Sequence, residues 1–442
     1  MGTLGLSEIS AQSPGQRPPA HPGVEVLNPR HRVPVGLIID DSTCLVNTNK
    51  FAMPQFDEAF AQANPVYRRP WRDWPNEIPD GFVRKFGEWC ASEGVKGKYS
   101  VVPYPACVGR LDRQLPGWSA QALRESIQLV REVLLPHWDI HPEMVTHTRV
   151  IDLKTGHPHA DHSLKFMENW EWTTGRSADE IASYMAYALR ILKDIGLPCE
   201  GITTPGGFGN KARPQLAQAS FESVRSVFGA EVPHYFRDLF DQGTRSVAPM
   251  VQNASGLDSE DPRCVVSILG CTGDWTGGWD CTNPVGADRF ISPDGSTGRM
   301  VEVIERGEPA MMVCHWTGIY FNGYELGFQV FREVVKRLKS RFDHLIWVKL
   351  SELARYWAAK ELTRMESRGR VVELKAPYAC PDFTLRLSDV SNPAPKFGRI
   401  APLQPLQEVS SAKHLESGTW CRDHGRILAC LALPKGASSL EL

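Results

Sequence analysis

A chain of 442 residues is longer than one hydrophobic core usually serves, so a large domain with a smaller appendage is the expected division. With 49 basic against 51 acidic residues the net charge is −2, which argues against a polybasic surface for nucleic acid or an anionic membrane. No stretch approaches the roughly 18 continuous apolar residues of a membrane helix.

Residues 1–33, rich in Ser, Pro, Gly and Gln and without the apolar core of a secretory signal, read as a flexible N-terminal arm. Eleven scattered cysteines with no C-x-x-C pair read as reduced thiols, consistent with a cytoplasmic protein. The first strand is the apolar run Val35-Gly36-Leu37-Ile38-Ile39, which ends on Asp40 and Asp41. Residues 51–79, broken by prolines and holding Trp71 and Trp74, read as a covering loop. Phe82 to Glu93 is an amphipathic helix closed by Gly94, and Tyr99 to Val102 a strand. Ser119 caps a helix reaching Pro136, and Val145-Thr146-His147 ends a further apolar segment.

A capping box, Ser177-Ala178-Asp179-Glu180, starts a helix that Gly196 stops. After it, Gly201 to Pro205 is extended and opens into the loop Gly206-Gly207-Phe208-Gly209. Strands follow at Val265 to Leu269, at Ala310 to His315 and at Leu345 to Val348, with a helix from Gly327 to Arg341 and another from Ser351. From about residue 371 the pattern alternates with period two between prolines, so 371–442 reads as a small β appendage. The expected class is α/β: a distorted (β/α)7-type barrel over 34–358 with a small C-terminal β domain.

Several of these elements end in chemistry. Paired acids at one strand end divide labour, one able to hold a metal while its neighbour takes a proton from water. His147 and His315 each close an apolar segment, and three such elements ending in titratable groups are what a barrel rim collects. Asp274 is an acid able to orient His315. Trp170 and Trp275 sit in polar segments where an exposed ring would stack on a sugar.

Asp40-Asp41 after a strand, His147 after a later one, the Thr204-Pro205-Gly206-Gly207-Phe208-Gly209 loop and His315 closing a late strand occur in the order of the polysaccharide deacetylase (NodB-homology) motifs, and the chain resembles that family over about 34–358. The resemblance implies removal of an acyl group from an N-acylated sugar or related small molecule, with a divalent metal ion, zinc being the expected one. By it Asp40 looks like the catalytic base, Asp41 and His147 like metal ligands, His315 like the general acid, and Pro205, Gly206 and Phe208 like substrate contacts.

The chain departs from the pattern at Ile151, where the family has a second metal histidine, and at Thr203-Thr204, where it has an arginine. Asp152 is the expected replacement ligand, with the cluster His157, His159 and His162 as the other candidate. Two alternatives stay open. One is a catalytically reduced barrel that binds carbohydrate; the other is a related glycosidase using Asp40 or Asp41 with Glu143 or Asp274 as its carboxylate pair.

Overall fold

A computed structural model describes residues 13–388 and 394–442. The chain opens with β1 (Val24–Val26) and β2 (Val33–Asp40), then α1 (Thr48–Ala59), α2 (Asp80–Ser92), β3 (Gly97–Ser100), α3 (Ala120–Leu129) and β4 (Trp138–His141). A small hairpin, β5 (Ile151–Asp152) and β6 (His157–Pro158), precedes α4 (Ala178–Asp194), β7 (Gly201–Thr203), α5 (Arg213–Phe228), β8 (His234–Leu239), β9 (Met250–Ser255) and β10 (Arg263–Gly270). The α/β part ends with α6 (Arg299–Glu305), β11 (Ala310–His315), α7 (Trp316–Tyr320), α8 (Leu326–Arg341), β12 (Leu345–Trp347) and α9 (Leu350–Leu362).

All eight residues of β2 are buried, as a strand covered on both faces must be. Alternation sends Leu37 and Ile39 into the core shared with the helices, and Ile38 and Asp40 to the opposite face. β3 lies so close that a Cβ on Gly97 would fall 1.9 Å from the Leu37 carbonyl oxygen, so only glycine fits there. Strand order is β11-β2-β3-β4 in one parallel sheet, with β12 also on β2, and β7-β8-β10 in a second, with β9 antiparallel at its edge.

Two narrow seams join these sheets: a parallel bridge between Glu143 and Thr203, and a hydrogen bond from Cys271 N to the Met311 carbonyl at 2.8 Å. The class is therefore mixed α/β built on parallel strands, and among the described residues no continuous ladder closes them into a ring.

The β appendage starts at residue 364, earlier than the composition change suggests. Its strands are β13 (Arg364–Arg368), β14 (Val371–Ala376), β15 (Cys380–Leu387), β16 (Lys396–Gly398), β17 (Gln404–Pro405), β18 (Gln407–Glu408), β19 (Thr419–Asp423), β20 (Arg426–Leu433) and β21 (Gly436–Glu441). They form two sheets, β1-β15-β20-β19-β18 and β13-β14-β21-β16-β17.

Three expectations need correction. From residue 13 onward the presumed arm is tied down: β1 pairs with β15, Gln16 N donates to the Ala254 carbonyl at 2.7 Å, and Arg17 lies 3.0 Å from Glu361. Its first twelve positions lie outside the described residues. The presumed loop begins with helix α1, which keeps Pro54 inside it because Ala52, Met53 and Phe56 bury one face while proline removes a single backbone donor. Only beyond Ala59 do short turns take over, and there Tyr67 and Arg69 cover Trp279 and Asp280. Finally, the strand before His147 is Trp138–His141, so His147 stands on the loop that follows.

Candidate active site

The site gathers at the C-terminal ends of the parallel strands. Asp40, the last residue of β2, is the register partner of His315 on β11, so the two stand side by side on neighbouring strands. Beside Asp40 the chain turns: Asp41 has φ 63°, a left-handed conformation costly for a residue with a Cβ. Met144 and His147, on the loop after β4, share that strain with φ of 51° and 62°. Glu168 holds this loop, its carboxylate accepting from the backbone N–H groups of Val145, Thr146 and His147 and from the Tyr184 hydroxyl.

The loop and the turn meet. His147 Nε2 is 2.7 Å from Asp41 Oδ1 and 3.4 Å from Glu143 Oε1, and Glu143 Oε2 accepts from Asp41 N at 2.8 Å. Asn49 on α1 fixes the other Asp41 oxygen at 2.6 Å while also donating to the Trp279 carbonyl and Thr317 Oγ1. Asp41, Glu143 and His147 are buried, and one ligating atom from each lies within 4.8 Å of the others. Groups about 2.0–2.2 Å from one ion must approach this closely.

The donor set fits a divalent ion of the zinc type, since two carboxylates balance its charge and imidazole suits transition metals. Asp41 Oδ1 is also buried without a well-aligned hydrogen-bond donor. Burial would raise Asp41, but the charges on His147 and His315 hold it well below the usual carboxylate range. Burial would lower His147, yet Asp41 and Glu143 drive it well above an ordinary histidine. A proton thus sits where a cation would compete for the same lone pair.

Two further groups flank the cluster. Burial pushes Asp40 up to about 6, against the opposing charge of Lys98, which is itself fully buried with Nζ 2.5 Å from Asp40 Oδ1. Lys98 also donates to the Ile39 carbonyl and to Ser100 Oγ, each at 2.8 Å. His315 donates from its backbone N–H to Asp274 Oδ2 at 3.0 Å and holds Nδ1 2.8 Å from the same oxygen. Burial acts to lower His315, but Asp41 and Asp274 outweigh it and push it up to about 10.

Other expected residues fall elsewhere. Asp152 is outside the cluster, in the β5–β6 hairpin, where its carboxylate accepts from Lys154 N at 2.9 Å and shapes a turn. His157, His159 and His162 do not converge: His157 is exposed, the His159 ring packs on Phe166 at 4.7 Å, and His162 pairs with Glu58. In the 204–209 loop Gly206 is exposed, whereas Pro205 and Phe208 are buried, Phe208 against the Trp172 ring at 5.8 Å. A fully enclosed Phe208 is core and no contact surface.

Trp275 is not exposed either; at 6% accessibility it packs on Phe290 under Arg289. Trp170 is half-buried and joins a group the sequence did not suggest, with Phe60 at 4.9 Å, Phe56 at 5.0 Å and Tyr67 next to Trp279 at 5.9 Å. That aromatic group borders the site through Asn49, which bonds both Trp279 and Asp41.

No family model and no curated protein matches this chain. Solved structures that resemble it include an α-fucosidase of Thermotoga maritima in complex with fucose, at 10% identity over 94% of this chain and 97% of that one with a TM-score of 0.30. The same enzyme with a mechanism-based inhibitor gives 10% identity, the same coverage and a TM-score of 0.28. A further α-L-fucosidase gives 10% identity over 95% of this chain and 98% of its own, with a TM-score of 0.28. A likeness this low identifies neither a fold nor a reaction. Among the described residues no helix is long and apolar enough to cross a membrane.

Proposed function

We propose that the protein is a metal-dependent hydrolase that removes an acyl group from the nitrogen of an N-acylated sugar or a related small molecule. We read the two sheets as halves of a distorted seven-stranded barrel, a reading that the two seam contacts support. The observation that carries the proposal is the meeting of two carboxylates and an imidazole, Asp41, Glu143 and His147, beside the neighbouring pair Asp40 and His315.

Asp41, Glu143 and His147 would hold the ion, His147 giving up its proton as the ion binds. When bound, a divalent cation supplies a Lewis acid that polarises the acyl carbonyl and acidifies water. Asp40 accepts the proton of the attacking water, and Lys98 keeps that carboxylate in place and available as a base. His315, protonated at neutral pH, delivers a proton to the departing amine as the C–N bond breaks, with Asp274 fixing the ring from Nδ1. The products are a carboxylate and a free amine. The aromatic group of Tyr67, Trp170 and Trp279 supplies rings on which a sugar's apolar face would lie.

One observation favours a second reading. Burial pushes Asp40 up to about 6, whereas Glu143, which burial would raise, is lowered by the charge of His147, the division of roles seen when one carboxyl is an acid and its partner a nucleophile or base in a glycosidase.

The test is release of acylate from a panel of N-acetylated sugars with added zinc, cobalt or nickel, alongside aryl glycosides without metal. The proposal expects metal-dependent deacylation, and Asp40→Asn should keep its metal while losing about 10²–10⁴-fold in turnover. Metal-independent cleavage of the glycosides would instead establish the glycosidase. Metal-loaded chain that turns over nothing, with Asp40→Asn binding sugars like the parent, would leave a carbohydrate-binding barrel.

A further inference from the structure

A second group of ligating side chains lies inside the fold, on residues that the proposed reaction does not use. Alternation along β4 turns Asp139 and His141 to the same face as their register partners Lys98 and Ser100, the face that also carries Asp40 on β2. His234 opens β8 in the other sheet. One ligating atom from each of Asp139, His141 and His234 lies within 4.8 Å of the others, and the two imidazoles face each other with their Nε2 atoms 3.0 Å apart.

β7 runs between β4 and β8, yet its first residue is Gly201. A Cβ there would fall 2.5 Å from Nε2 of both histidines, so the rings meet only because that position has no side chain. We propose that Asp139, His141 and His234 form a structural site for a divalent cation of the zinc class, joining the first sheet to the second.

The geometry suits the ion. Two ligands about 2.0–2.1 Å from a tetrahedral centre are separated by roughly 3.3 Å, so rings 3.0 Å apart need almost no movement. Outer contacts already orient the donors: Asp139 accepts from Ser351 N at 2.6 Å and Ser351 Oγ at 2.9 Å, and His141 Nδ1 lies 3.3 Å from Thr203 Oγ1. The two imidazoles share one hydrogen bond through their Nε2 atoms, and the Val232 backbone also bonds the His234 ring.

Two imidazoles with one carboxylate select zinc, cobalt or nickel over magnesium or calcium. A groove of about 450 Å³ lined by Lys96, Glu200, Ser351 and Glu352 reaches Ser351, the residue that holds Asp139. The site also has structural work to do, because among the described residues the backbone bonding between β4 and β7 is confined to the bridge at Glu143 and Thr203 and its adjoining bond.

The test uses the full chain with the rim cluster removed by Asp41→Asn and His147→Ala. This variant is loaded with zinc and desalted, zinc per chain is measured by elemental analysis, and Tm is followed with and without a chelator. Retention of roughly one zinc per chain, a Tm that falls on chelation, and loss of that zinc on adding His234→Gln are expected. A folded rim-free chain that keeps no zinc and whose Tm ignores zinc overturns the proposal, as does zinc that survives His234→Gln. If His234→Gln fails to fold, the zinc content and chelator response of the rim-free chain still decide. The difference in zinc between parent and rim-free chain reads the rim cluster separately, so either site can fail alone.

Discussion

An ammonium group with no access to water, such as that of Lys98, is tolerated only beside a partner, and its partner is Asp40. Removing one member of such a pair leaves the other charge uncompensated, which typically costs about 3–5 kcal/mol. Lys98→Met is therefore expected to lower stability by that order in urea titrations. Because the lysine charge opposes the effect of burial on Asp40, the same variant should move the acid limb of the kcat/KM profile to higher pH. An unmoved limb would show that Asp40 is not the group being titrated. Glu143→Gln removes a charged donor from the rim and should weaken zinc binding by at least about tenfold in a competition titration, whereas His315→Ala should leave it unchanged. Asp40, Asp41 and His315 were legible in the sequence because each closes an apolar run. Lys98 was not, because a lysine inside a strand carries no periodic signal; Glu143 was legible as one of a carboxylate pair but not as a companion of His147, since an acid four residues before a histidine says nothing of coordination until the loop bends back.

At the scale of elements, the loop after β4 explains why position mattered more than motif. It places His147 with two left-handed residues, Met144 and His147 itself, conformations that cost of the order of 1–3 kcal/mol each and persist only where the surroundings enforce them. Glu168 supplies that enforcement, and Tyr184 links it to Ile151 by accepting from the Ile151 backbone N–H at 3.1 Å. Glu168→Ala strips three backbone donors of their acceptor and is expected to destabilise by about 3 kcal/mol or more, with a parallel loss of zinc affinity as His147 is released. Tyr184→Phe removes one bond to the carboxylate and should cost about 1–2 kcal/mol. Equal zinc affinity in Glu168→Ala and parent would mean that the loop holds its shape without the acid. Helix α4 was legible from its capping box, which the structure contains in full, because capping is local chemistry. α1 was hidden by Pro54, and the hairpin at Asp152 by the assumption that a ligand lost at Ile151 is replaced next door; both depend on packing against distant residues.

Over the whole molecule, one apolar cluster runs from Ile38, Met311 and Val313 through Leu353 and Trp357 on α9 to Leu385, Leu431 and Leu440 of the β sheets, so the appendage shares its core with the site-bearing strands. The β pattern after residue 371 was visible in the sequence, but this shared core and the pairing of β1 with β15 were not, since the core depends on tertiary packing and the pairing joins segments more than 300 residues apart. A polar clasp borders the contact: Glu231, on the segment before β8, lies 2.8 Å from Arg355 on α9 and 3.0 Å from Lys435 beside β21. Burial would raise Glu231, but its hydrogen bonds to Arg355 and Lys435 outweigh that and lower it from 4.5. A carboxyl whose folded pKa is depressed stabilises the fold above its unfolded value and loses that contribution as pH falls through the folded one. The clasp should therefore contribute fully at neutral pH and fade below about pH 4.5. All three side chains are about a third exposed, so solvent screens the pairs and the expected contribution is small, about 1 kcal/mol or less. Glu231→Gln should lower Tm slightly at pH 7, and the gap between variant and parent should narrow as the buffer is taken down through pH 4. A gap that stays constant across that range would show that the carboxylate plays no part in docking the β sheets.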